Sequence, residues 1–174
     1  MTDSDSSEVQ FGEIEAHKHF AVSIFNHCWE LIDKGADRTE EEDEEMLLAA
    51  QASAYHWLKL KGHVPDERWI QAPAISHDQI SNVYAMLGNG EMALAHAKKS
   101  LEWCEKNGVG DFVLAFAHIR FAKAYELLGD TDKRNEHIRS AQKLIAEISN
   151  DGDRDYTLSE LKNVPGYDEV MGGA

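Results

Sequence analysis

Apolar side chains recur at three- and four-residue intervals along most of the chain, the spacing of one helical face rather than the alternation of a strand. Phe20, Ile24, Cys28, Leu31 and Ile32 form the first stripe, widened by Phe25 and Trp29, and predict a helix over 13–34. Thr39 followed by Glu42 has capping-box spacing, and the acids at 40–45 suit the orphan amides of a helix start. A second helix is therefore expected from Thr39 or Glu40 to Lys61, stopping near Gly62. Pro65 can open a helix, whereas Pro73 removes a donor and predicts a break or kink, which places the third helix mainly at 74–87. Asn89 or Gly90 turns the chain into a fourth helix carrying Met92, Ala93, Leu94, Ala97, Leu101 and Cys104. The fifth, DFVLAFAHIRFAKAYELLG, is apolar around much of its circumference, the pattern of a central helix. A more polar sixth helix over 131–148 and a short last one near 157–162 complete the set. Residues 1–12 and 166–174 read as flexible tails around one helical domain at 13–165.

Two of these segments repeat one another. Tyr84 and Gly88 recur as Tyr125 and Gly129, forty-one residues later, each at the end of one helical pattern and the start of the next. His77 and His118 keep the same offset, which favours a shared structural place over catalysis. Small residues let helices approach closely, tyrosine fills the adjoining space with a polar tip, and glycine accommodates a turn that would strain other residues.

The repeats resemble tetratricopeptide-like repeats, most clearly over 74–148. The first supplies His77, Ser81, Tyr84, Gly88, Ala93, Ala97 and Ser100; the second supplies His118, Ala122, Tyr125, Gly129, Arg134, Ile138 and Ala141. Arg134 departs from the usual small residue, His77 and His118 from the common tryptophan, and the offset from the standard repeat of about 34 residues. With AYHWLKLKG and the alanine-rich fifth helix, the stretch from roughly 16 to 165 resembles a largely uncharacterised bacterial family of tetratricopeptide-like proteins. That resemblance implies an all-α fold, a short right-handed superhelical stack of antiparallel helical hairpins, and supplies no catalytic constellation.

Charge narrows the partners. Thirty-two acidic against 17 basic residues give a net charge of −15, which opposes attraction to nucleic-acid phosphates or anionic lipid. The first twenty residues lack an apolar signal core and no later run suits a bilayer, so the expectation is a cytoplasmic protein with neither nucleic acid nor membrane as partner. Cys28 and Cys104 are read as buried thiols.

Nine histidines invite a metal reading, yet the pairs His17–Glu13, His19–Glu15 and His27–Glu30 each bring two ligands where a closed zinc site needs four, and HExxH is absent. The acids at 40–45 follow helix-start spacing, neither cysteine has a histidine one turn away, and GNG and NGVG lack a phosphate-binding signature. No catalytic residue, metal ligand or cofactor is assigned. Binding is the stronger expectation, because stacked hairpins expose their first helices along a concave surface. By analogy with the repeats its positions are Ile75, Asp78, Asn82, Ala85 and Met86, then Phe116, Ile119, Lys123, Glu126 and Leu127, with Tyr55 and His56 extending it. His56, Asp78, Asn82, Lys123 and Glu126 are the expected polar contacts to an extended, partly basic peptide. The function expected is a non-catalytic protein or peptide interaction module, an adaptor. The competing class is a small-molecule-binding or metal-dependent enzyme with a polar inter-helix pocket joining His56, Asp78 and Asn82. A homodimer follows if the excess apolar face of the fifth helix meets a second copy.

Overall fold

The computed structural model describes residues 12–172, and among these the regular structure is entirely helical. The helices are α1 (Glu13–Asp33), α2 (Glu40–Lys59), α3 (Asp66–Met86), α4 (Gly90–Asn107), α5 (Asp111–Leu127), α6 (Thr131–Ile145), α7 (Asp151–Lys162) and α8 (Tyr167–Gly172), with a short 3-10 turn at Gly35–Asp37. Of the N-terminal tail, only Gly12 lies within the described residues. The stretch expected as a C-terminal tail carries α8.

Local chemistry starts and stops these helices. Thr39 accepts from the Glu42 amide at 3.2 Å while Glu42 accepts from the Thr39 amide at 3.1 Å, the reciprocal cap that the T-x-x-E spacing predicts. Lys34 reaches back to Glu42 across the α1–α2 turn. The α3–α4 and α5–α6 turns are built alike. Gly88 and Gly129 adopt left-handed φ values of 74° and 73°. The next amide, Asn89 or Asp130, donates to the carbonyl of Tyr84 or Tyr125 at 2.8 and 3.0 Å. The side chains of Asn89 and Asp130 then cap the following helix by accepting from Met92 and Lys133. One short motif thus closes one helix and opens the next, which is why Tyr84 and Tyr125 stand at equivalent bends.

Helix α3 runs through Pro73 and starts eight residues before the expected 74. The proline removes one internal hydrogen bond, but neighbouring carbonyls gain outside donors: Trp103 Nε1 gives 2.6 Å to Ile70 O, and Ser100 Oγ gives 3.0 Å to Ala74 O. Buried Ala72 and Ala74 and the edge-on Trp69–Trp103 pair hold this turn against α4. Tertiary donors and packing offset the local penalty.

Consecutive helices pack as pairs, α1 with α2, α3 with α4 and α5 with α6, and the pairs adjoin through α2–α3, α4–α5 and α3–α5. Three apolar groups follow the pairing. Cys28, Leu31, Met46, Ile80 and Val83 join α1, α2 and α3; Ala74, Cys104 and Val113 join α3, α4 and α5; Ile119, Ile138, Ile145 and Leu161 join α5, α6 and α7. Small residues mark the closest approaches: Ala93, Ala97, Ala122 and Ala141 have no exposed surface. Helix α5 is flanked by α3, α4, α6 and α7, which accounts for its nearly all-round apolar surface within a single chain. Its phenylalanines do not share one core. Phe121 stacks flat on His137 at 4.4 Å, Phe116 turns toward Tyr156 of α7, and Phe112 is only partly covered.

Candidate binding groove

Arg120 is the ion that the apolar pattern of α5 leaves unexplained. Its side chain is fully buried, so its charge needs a counterion from another element. Asp78 on α3 supplies it in a two-point pair, Nε to Oδ1 at 2.9 Å and Nη2 to Oδ2 at 3.1 Å. Nη1 donates to Asn82 Oδ1 at 2.9 Å, and the guanidinium lies 5.1 Å from the Phe116 ring. Lys123, one turn along α5, reaches Asn82 Oδ1 at 3.3 Å and Glu160 Oε2 of α7 at 3.4 Å. Burial and then the neighbouring Arg120 pull the Lys123 ammonium down to about 8. Three of the expected polar contacts, Asp78, Asn82 and Lys123, therefore meet in one network, and its other two members, Arg120 and Glu160, were not anticipated.

Glu126 and His56 stand outside this network. Glu126 accepts from Arg134 Nη1 at 2.7 Å, which gives the buried Arg134 of α6 a counterion on α5. His56 Nδ1 lies 2.8 Å from His17 Nδ1, beside the rings of Phe20 and Tyr55. The same contact occurs in the other two helix pairs, His77 with His96 at 3.1 Å and His118 with His137 at 2.9 Å. One ring of each pair must donate and the other accept, so the accepting Nδ1 of each pair carries no proton. Burial depresses His77 and His137 to about 4, and it also lowers His56, His96 and His118. His27 sits on the surface between Glu45 at 2.9 Å and Glu30 at 3.2 Å. Among the described residues no group of three or more His, Cys, Asp or Glu side chains is arranged to hold a metal ion.

The network separates two kinds of hollow. On one side Asn82, Lys123 and Glu126 line a shallow depression of about 240 Å³ with Met86 and Pro165. On the other side Asp78 and Arg120 form the floor of a cavity of about 290 Å³ whose walls are Phe25, Trp29, Phe112, Phe116 and Tyr156. A larger hollow of about 440 Å³ continues from it between Val22, Phe25 and Asn26 of α1 and Arg68, Gln71 and Ile75 of α3. The two cavities share Phe25, Ile75 and Phe112 and so make one groove along α1, α3 and α5, the first helices of the three pairs. His56 lines none of these three hollows. Phe116 was among the expected groove positions, whereas Phe25, Trp29 and Phe112 went unread because each ring, taken alone, fits an ordinary apolar stripe.

The thiols take no part. Burial raises Cys28 to about 12 and Cys104 to about 11, so both remain protonated. No helix among the described residues is long and apolar enough to cross a membrane. No protein-family model, curated protein or solved structure matches this chain.

Proposed function

We propose that the chain is a non-catalytic interaction module, a tetratricopeptide-like stack of three helical hairpins that receives an extended segment of a partner protein in the groove along α1, α3 and α5. The observation that carries this reading is the continuity of the two cavities through Phe25, Ile75 and Phe112. A groove that spans three successive first helices fits an extended chain better than a compact substrate. The Asp78–Arg120–Asn82–Lys123–Glu160 network fixes the spacing of α3, α5 and α7, which pre-organises the groove and lowers the cost of binding. Specificity then comes from the aromatic walls, with the polar network as a rigid floor.

The test is to select peptides from a random library on the full chain and to measure their affinity for wild type, Ile75→Arg and Gln71→Ala by calorimetry. Ile75 lines both cavities, so Ile75→Arg is expected to weaken selected peptides on the order of tenfold or more. Helical content and denaturation midpoint are followed in parallel. Selected peptides that bind Ile75→Arg as tightly as wild type, in a variant that keeps its fold, would exclude the groove.

A further inference from the structure

Helix α2 packs against α1 and α3, and large apolar side chains stand on the face that these leave uncovered. Leu48, Tyr55 and Leu58 are each more than half exposed, and their spacing of seven and then three residues sets them along one side of the helix. The second helices of the other two pairs show what the outward surface of this chain is otherwise made of. Helices α4 and α6 expose Lys98, Glu102, Lys133, Glu136 and Arg139, with Met92 at the start of α4 their one exposed large apolar side chain. A contiguous apolar stripe in the place of such a charged surface marks a contact site. The stripe lies off the groove, since none of its three residues lines either cavity.

The charges beside the stripe choose its partner. Among the acids that open α2, Glu42, Asp43 and Glu45 are engaged by Lys34, Arg38 and His27, while Glu44 stands exposed one turn before Leu48. At the other end Lys59 lies 5.2 Å from the Tyr55 ring, one turn after it. Leu48 and Tyr55 are equidistant from the point between Gln51 and Ala52, and so are Glu44 and Lys59. A two-fold axis through that point therefore sets Leu48 against the partner's Tyr55 and Glu44 against the partner's Lys59, and each contact occurs twice. The same antiparallel arrangement brings the positive end of one helix dipole to the negative end of the other. A parallel pairing would instead stack the acids at 40–45 on the same acids.

From this geometry we infer that the outward face of α2 is a homodimer interface, on which α2 of a second copy packs antiparallel about an axis between Gln51 and Ala52. Ala52 at the axis lets the two helices approach closely. The overall charge of −15 opposes association at long range, so the match is local, and moderate salt screens the repulsion between copies. A single helix face is a small interface, and a dissociation constant on the order of micromolar is expected. The dimer goes beyond the interaction-module reading and does not depend on what the groove receives. It carries two grooves in one particle, so a partner with two segments would gain avidity.

The experiment is sedimentation velocity of the full chain over roughly 1–300 μM in about 0.15 M salt, where a shift from monomer to dimer is expected. Leu48 is exposed in the single chain, so Leu48→Glu carries little risk to the fold, which circular dichroism checks, and should hold the chain monomeric across the range. Glu44→Lys and Lys59→Glu each place like charges at both contacts and should weaken the dimer about threefold to tenfold. Mixed in equal amounts, these two variants should associate as tightly as wild type, because both contacts then join opposite charges. Antiparallel two-fold pairing of these residues requires that recovery. A chain that stays monomeric at every concentration would overturn the dimer and leave the face to a different occupant. A dimer that survives Leu48→Glu, one abolished instead by Leu127→Glu on α5, or a mixture no stronger than its separate variants would overturn it as well.

Discussion

The Nδ1 atoms of His77 and His96 face each other at 3.1 Å across the α3–α4 pair, and His118 and His137 repeat the contact at 2.9 Å across α5–α6. Each pair is a hydrogen bond only while the accepting ring is unprotonated at Nδ1. His77 and His137 titrate near 4 in the folded chain and near 6.5 once unfolded, so between those values the unfolded chain binds more protons. Stability therefore rises with pH across this window and is lost as pH falls from about 6.5 to about 4. His27, raised by Glu45 and Glu30, acts in the opposite sense at the surface. The expected outcome is a lower urea midpoint at pH 5 than at pH 7. His77→Asn combined with His96→Asn should flatten that dependence in part, and an unchanged slope would remove the His77–His96 pair as a source of it.

Asp78 and Arg120 should show strong non-additivity. Asp78→Leu leaves the buried guanidinium with only Glu160, at 3.6 Å, and is expected to cost about 3–5 kcal/mol. Arg120→Met alone should cost a similar amount by stranding Asp78. Asp78→Leu with Arg120→Met removes both charges together and should be less damaging than either single change. A double-mutant cycle by urea denaturation measures the coupling.

Gly88→Ala and Gly129→Ala should each cost about 1–2 kcal/mol, because both positions hold left-handed φ with open space around the missing Cβ. Similar values are expected, since the two turns have the same construction. Gly166→Ala should cost more. Its φ is 82°, and its Cβ would also fall on the Arg134 guanidinium, which pairs with Glu126. Thermal denaturation of the three variants ranks them.

Pro73→Ala is expected to stabilise the chain by about 1–3 kcal/mol, since it returns a donor to the interior of α3 at a point where the helix already continues. Trp103→Phe should do the reverse, as it removes the indole donor from the Ile70 carbonyl. Chemical denaturation midpoints shifted in these opposite directions at unchanged slopes would register both as changes in stability.

The turns were the most legible part of the sequence, because their determinants are local: Tyr84, Gly88 and Asn89 suffice to write one turn, and Tyr125, Gly129 and Asp130 write it again. The passage of α3 through Pro73 was not legible, since its compensating donors come from Ser100 and Trp103 nearly thirty residues or more away. The histidine pairs were half visible. His77 and His118 stood out by their offset, and His96 and His137, which share it, were not singled out. Arg120 carried a usable signal, as a permanent charge inside DFVLAFAHIRFAKAYELLG must find a distant counterion. Nothing local named Asp78 and Glu160 as that counterion, because the pairing depends on how α3 and α7 are set against α5.

Cys28 belongs to the apolar group joining α1, α2 and α3, and Cys104 to the group joining α3, α4 and α5. Neither thiol is ionised or solvent-facing in the native fold, so alkylation must wait for the helices over it to separate. The chain therefore carries two independent clocks at different heights of the stack. If opening spreads inward from the N-terminal pair, Cys28 is consumed first and Cys104 follows with a lag; if the helices part as one body, the two rates coincide and equal the rate of global unfolding.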